Sequence, residues 1–253
     1  MSRYVALGSS MAAGPGIKPS AAGAPFRAGR SARNYPHLVA DRLGLDLTDV
    51  TYSGATTSNV LEEAQHGTPP QIEALDGTET LVTVTIGGND VGYVPMLMAA
   101  GLPRLIRRIP RVAALFDATA RDRALVEVGE SLRRVGETVR AGAPRARVLF
   151  VDYLTLLPPA GEPVSPLPGA DAALGRRIAD TLERLTGEAA ADTGCEWVRA
   201  AQASRTHHAW SAQPWTTRPG MPWPGRPAPL HPNAAGMRAV ADLVIEHVEA
   251  QSD

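Results

Sequence analysis

One cysteine, Cys195, stands in 253 residues. That excludes an internal disulfide framework and leaves stability to the packed core. No apolar run approaches the about 20 residues that a bilayer span requires, so stable membrane insertion is not expected. The opening residues have neither the cationic stretch nor the apolar stretch of a secretory leader; a cytoplasmic protein is the simplest reading, and a trimmed secreted form would look the same. Lysine is nearly absent, and the formal net charge is −1, so no basic footprint points to nucleic acid. Acids are missing from one stretch altogether: between Trp197 and Ala241 there is no Asp and no Glu.

The length suits one α/β domain with a full core, residues 1–253. Strand and helix signals alternate, the pattern of a central parallel sheet of about five strands. Strands are predicted at Arg3–Leu7, Asp49–Ser53, Leu81–Ile86, Arg147–Asp152 and Glu196–Arg199. Helices are predicted near Asn34–Leu43, Val60–Gln65, Arg121–Ala141, Asp171–Thr193 and Asn233–Ala250. Leu125, Val128, Leu132, Val135 and Val139 repeat at three and four, which is one apolar helix face.

Two segments depart from simple crossovers. Residues 93–119 mix apolar side chains with Pro95, Pro103 and Pro110 and read as a helical cap insertion. Arg104, Arg107, Arg108 and Arg111 would share one face of it, either as a solvated surface or as a contact for a membrane or an anionic substrate. Residues 200–229 form a long loop rich in Pro, Trp and His. Trp210, Trp215 and Trp223 could wall a substrate pocket or merely cover the sheet edge.

The chemistry-bearing residues fall at predicted strand ends. Gly87-Gly88-Asn89-Asp90 follows the apolar run Leu81–Ile86, and its Asn lies where parallel sheets present their ligands. Ser10 follows the first strand in Gly8-Ser9-Ser10. Gly54 sits in Tyr52-Ser53-Gly54-Ala55, and His231 opens His231-Pro232-Asn233-Ala234-Ala235-Gly236 before the last helix. A nucleophile, donors for an oxyanion and a general base are the parts acyl transfer requires. A Ser after a turn most often caps a helix, so Ser10 gains its meaning from Asn89 and His231. Gly14-Pro15-Gly16 lacks the Gly-Lys-Ser/Thr of a phosphate cradle, and His207-His208 has no neighbouring Cys or carboxylate to complete a metal set.

Across essentially the whole chain these four positions resemble the SGNH (GDSL) hydrolase family, with Ser10, Gly54, Asn89 and His231 in its order and spacing. The resemblance implies a flavodoxin-like three-layer α/β/α sandwich and a serine esterase or lipase acting on a small-molecule ester. It implies Ser10 as nucleophile and His231 as general base. The implied oxyanion hole consists of the Ser10 and Gly54 N–H groups and the Asn89 amide, and no cofactor is implied. Two positions depart from the family pattern. Ser9 replaces the Asp of the usual Gly-Asp-Ser, and Ala228 replaces the Asp three residues before His231. The expectation is a Ser–His dyad whose imidazole is held by a backbone carbonyl, that of Ala228. Acyl transfer to another acceptor and a catalytically inactive acyl- or glycan-binding module are the alternatives. Oligomeric state leaves no trace in the sequence.

Overall fold

A computed structural model describes residues 2–223 and 225–250. Five parallel strands form one sheet in the order β2-β1-β3-β4-β5: β1 (Arg3–Gly8), β2 (Asp46–Asp49), β3 (Glu79–Thr85), β4 (Arg147–Val151) and β5 (Glu196–Val198). Among the described residues ten α-helices accompany them: α1 (Ser10–Ala13), α2 (Tyr35–Leu43), α3 (Thr57–Leu61), α4 (Tyr93–Ala100), α5 (Arg104–Arg107), α6 (Pro110–Ala113), α7 (Ala118–Gly142), α8 (Gly169–Asp192), α9 (Ala200–Ala203) and α10 (Ala234–Glu249).

The sheet is covered on both faces, as parallel sheets must be. Alternate strand residues point to opposite sides. Val5, Leu7, Val82, Val84, Val148 and Phe150 pack against α7 and α8 through Val128, Leu132, Ile178 and Leu182. Tyr4, Ala6, Leu149 and Val151 pack against α2 and α10 through Val39, Val240 and Val244. The period expected from Leu125 to Val139 is the buried face of α7, and all five residues are buried. Asp117 starts that helix by accepting the Ala120 N–H at 3.1 Å, a side-chain cap for a backbone donor that has no partner inside the helix. Among the described residues no helix is long and apolar enough to cross a membrane.

Local boundaries depart from expectation where the signal is polar. β2 covers Asp46–Asp49, not Asp49–Ser53, because an edge strand needs little apolar patterning. Its ladder nevertheless continues through Val50 N to Ala6 O and Tyr52 N to Gly8 O, so Gly54 still leaves from a strand end. α3 begins at Thr57, earlier than Val60, on a capping box in which Thr56 and Asn59 satisfy each other's backbone.

Residues 93–119 are helical, but in pieces. α4 is part of the core, with Tyr93, Met96 and Leu97 buried. α5 and α6 bury no residue, and Pro110 breaks the single basic face expected across Arg104–Arg111. Among the described residues of 200–229 only α9 is helical. Elsewhere this loop is held by side chains, such as the His207 ring stacked on Trp215 with centroids 4.1 Å apart.

Candidate active site

The carboxyl ends of β1 and β3, with the turns that follow β2 and precede α10, converge on one point. Ser10 is the first residue of α1. Gln71 braces the strand end behind it, accepting the Gly8 N–H at 2.7 Å and donating to the Gly8 carbonyl at 3.1 Å. Ser10 Oγ lies 2.8 Å from His231 Nε2, within the reach of a nucleophile and its base. His231 Nδ1 lies 2.7 Å from a backbone carbonyl oxygen, that of Pro229. The Ala228 carbonyl is turned elsewhere and accepts the Thr217 hydroxyl at 2.6 Å. The reason is local backbone: Leu230, between Pro229 and His231, adopts φ +58°. This left-handed residue reverses the chain so that the carbonyl two residues back meets the imidazole. Such a conformation is strained for a branched side chain. It is held by complete burial of Leu230 and by Thr217, whose N–H donates to His231 O at 2.9 Å and whose Oγ1 accepts the His231 N–H at 3.2 Å. Asn233 then caps α10, accepting from Ala235 N and Gly236 N, and donates to Pro214 O.

Among the described residues no carboxylate pairs with His231. An Nδ1–H donated to Pro229 O fixes the tautomer that leaves Nε2 as an acceptor toward Ser10. Burial lowers the imidazole pKa below its usual value, and the Pro229 bond opposes that shift only in part.

Asn89 donates through Nδ2 to Ala55 O at 2.8 Å, which leaves its second amide hydrogen for another acceptor. Asp90 accepts from Thr57 N at 3.0 Å and Thr57 Oγ1 at 2.5 Å. These bonds tie the turn after β3 to the turn carrying Gly54, whose φ of +82° requires the absence of a side chain. Among the described residues neither the Ser10 N–H nor the Gly54 N–H has a hydrogen-bond acceptor in the protein.

The sequence offered no hint of Tyr153, the second residue beyond β4. Its hydroxyl lies 2.8 Å from Ser9 Oγ and accepts the Gly88 N–H at 3.1 Å. Its ring lies against Gly88, where a Cβ would stand 2.2 Å from Cε2. Its position just past a strand end was the one available signal. Pro229 and Thr217 were likewise invisible: Pro229 acts through its backbone carbonyl, and Thr217 through bonds to residues 11 and 14 positions away that only the fold brings to it.

The three loop tryptophans do not share a wall. Trp223 borders a cavity of about 700 Å³ between residues 15–30 and 222–228, which Ala228 also lines. Trp210 donates its indole N–H to Ser165 O at 3.0 Å. Trp215 lies under His207, and its carbonyl accepts the Asn233 N–H at 2.9 Å. A second cavity, about 420 Å³ and mostly apolar, lies where Tyr153 and Leu154 face α8.

Residues 6–239 match the GDSL-like Lipase/Acylhydrolase family. The chain is 34% identical over 250 residues to Lipase 2 of Streptomyces coelicolor, covering 94% of this chain and 83% of that protein. Among solved structures it resembles phospholipase A1 from Streptomyces albidoflavus NA297, with a TM-score of 0.79, 27% identity and 98% of each chain covered. It also shares its fold with the extracellular lipase of Streptomyces rimosus, with a TM-score of 0.80 at 24% identity, over 98% of this chain and 99% of that one.

Proposed function

The chain belongs to the GDSL-like lipase/acylhydrolase family and is an ester hydrolase, and on that footing we propose that it works through an acyl-enzyme on Ser10 with His231 as general base and no side-chain acid. Ser10 Oγ attacks the ester carbonyl while His231 Nε2 takes its proton. The Ser10 and Gly54 N–H groups and the free Asn89 amide hydrogen receive the negative charge that develops on the carbonyl oxygen. His231 then gives its proton to the departing alcohol. Water, deprotonated by the same nitrogen, releases the acid and restores Ser10. Pro229 O holds the ring in the required tautomer and accepts from Nδ1 throughout, which is the larger part of what a triad carboxylate does.

The observation that carries this reading is the continuous line Ser10 Oγ, His231 Nε2, His231 Nδ1, Pro229 O, with its two links of 2.8 and 2.7 Å. The names of the relatives, a lipase and a phospholipase A1, support acyl esters of lipids as the substrates. The test is covalent labelling by a fluorophosphonate together with hydrolysis of p-nitrophenyl esters. Labelling of the wild type that disappears in Ser10→Ala, with hydrolysis nearly abolished, is the expected result. Undiminished turnover in Ser10→Ala would end the assignment.

A further inference from the structure

Charge is sorted along this fold in a way the net value of −1 conceals. Three connections leave the carboxyl edge of the sheet and return to it: residues 14–34 after α1, 91–116 after β3 and 199–233 after β5. Together they hold twelve of the 25 Lys and Arg and none of the 26 Asp and Glu. The rest of the molecule therefore sets thirteen cations against all twenty-six carboxylates. Three of the twelve reach acids outside these connections, as Arg30–Asp49, Arg107–Asp171 and Arg205–Glu183. Among the described residues the other nine have no carboxylate within 4.0 Å. Of the acids at this edge outside the three connections, Asp90 is bonded to Thr57 and Asp152 is buried against Trp197 and Ala201, while Asp117 at the start of α7 and Glu62 after α3 are exposed. Glu162 lies beside His208.

The same connections carry nearly all the exposed apolar bulk. Eight large hydrophobic side chains are exposed among the described residues, and seven of them lie here. Leu102, Leu105, Ile106 and Ile109 stud α5 and its flanks, with Leu105 77% exposed. Phe26, Met221 and Trp223 form the second group, with Phe26 wholly exposed and Trp223 at 69%.

Both groups lie at the carboxyl edge of the sheet, the edge that also carries Ser10 and His231. Arg107 pairs with Asp171 in the first turn of α8, and Arg121 in the first turn of α7 donates to Val91 O at 2.8 Å. Those helix starts lie at the carboxyl edge, so α5 and α6 do too. On the opposite flank Ala228 N donates to Pro15 O at 2.9 Å, which joins the Phe26 loop to the segment that leads into His231.

We propose that this rim is a docking face for a bilayer surface containing anionic phospholipid, which brings Ser10 and His231 down onto esters held in that surface. Cations alone would suit any polyanion. Here, however, Arg104, Arg108 and Arg111 alternate with Leu105, Ile106 and Ile109. A phosphate layer above an acyl layer satisfies both classes at once. A nucleic acid would leave the aliphatic side chains in water, and a second copy of the same rim would repel the first. The acidic remainder of the molecule is repelled by such a surface, so it orients the catalytic edge toward the lipid. The use of the docking rests on the ester-hydrolase reading, while the docking itself does not.

The test is sedimentation of the full chain with vesicles of phosphatidylcholine alone and of phosphatidylcholine with phosphatidylglycerol, at low and high salt. The expected result is partitioning onto the anionic vesicles, weakened by salt, with little on the neutral ones. Arg104→Gln/Arg108→Gln/Arg111→Gln should lower partitioning about 100-fold, since each cation near such a surface contributes roughly fivefold. Leu105→Ser/Ile109→Ser should lower it at least about tenfold. Both variants should hydrolyse dissolved p-nitrophenyl acetate at the wild-type rate. Equal partitioning onto both vesicle types, no partitioning by the wild type, or undiminished partitioning of either variant would overturn the proposal. So would duplex DNA binding as tight as vesicle binding, or a dimer that buries the rim. Vesicle binding by a protein inert toward every ester would leave the docking intact and remove the ester-hydrolase reading instead.

Discussion

The hydroxyls of Ser9 and Tyr153 lie 2.8 Å apart, and the same Tyr153 oxygen accepts the Gly88 N–H. One phenol thus joins the residue before Ser10, the proposed nucleophile, to the turn that presents Asn89. Ser9 stands where the family pattern has Asp, and a serine reaches less far and carries no charge. The strand-end tyrosine fills the gap with a neutral bridge. Burial pushes the Tyr153 pKa up to about 12, so this bridge stays protonated throughout the working range of a serine hydrolase.

Tyr153→Phe removes the bridge while keeping the ring on Gly88. The Ser9 hydroxyl and the Gly88 N–H then lose a buried partner, a loss of about 1–3 kcal/mol. The expected outcome is a lower melting temperature and a kcat reduced by about tenfold, with KM little changed, because the disturbed groups position Asn89 and Ser10 and need not touch the ground state. A KM effect alone would mean that Tyr153 serves substrate binding.

If the amide hydrogen left free by Ala55 serves the proposed oxyanion hole, it acts on a charge absent from the substrate, and Asn89→Ala should lower kcat more than it raises KM. The expected loss is roughly 10²–10³ in kcat. The variant also drops the bond to Ala55 O, so a melting curve must accompany the kinetics to separate the two effects.

The pH profile tests the imidazole's surroundings. Burial lowers the His231 pKa from 6.5, so the acid limb of kcat/KM should lie below pH 6.5 and activity should persist into mildly acid solution. Ala228→Asp restores a carboxylate at the family position. A negative charge near the ring favours the imidazolium and raises its pKa, so the acid limb should move to higher pH in the variant. An unmoved limb in a folded variant would show that the Leu230 turn holds position 228 away from the ring.

Asp152 should govern a second pH effect, on stability. Burial pushes its pKa up to about 7, against the two N–H bonds from Trp197 and Ala201 that favour the charged form. The folded state thus binds this proton more tightly than the unfolded state does. Stability from this group is present below pH 3.8 and falls as pH rises toward about 7. Melting temperature across that window should decline less steeply in Asp152→Asn than in the wild type.

What could be read from the sequence followed physical distinctness. The core strands β1, β3 and β4 were legible because continuous apolar runs have few other uses, and α7 because five apolar residues keep one helical period. Ser10, Gly54, Asn89 and His231 stood at strand ends within recognisable turns, and the fold brings them to one edge. β2 was misplaced because an edge strand reading Asp-Leu-Thr-Asp has no apolar signature. The carbonyl beside His231 could not be assigned correctly, since the choice between Ala228 and Pro229 depends on one dihedral angle at Leu230. The tryptophans clustered in sequence but not in space, because the loop that carries them winds across two separate packing environments.

The two atoms that must meet for the proposed chemistry, Ser10 Oγ and His231 Nε2, come from residues 221 positions apart. Ser10 precedes all but the first strand of the sheet, whereas His231 follows the fifth. A polypeptide that stops before His231 therefore holds Ser10 without the imidazole that the proposed chemistry needs. With the two side chains so far apart in sequence, the proposed activity depends on the assembled sheet and not on any local segment of the chain.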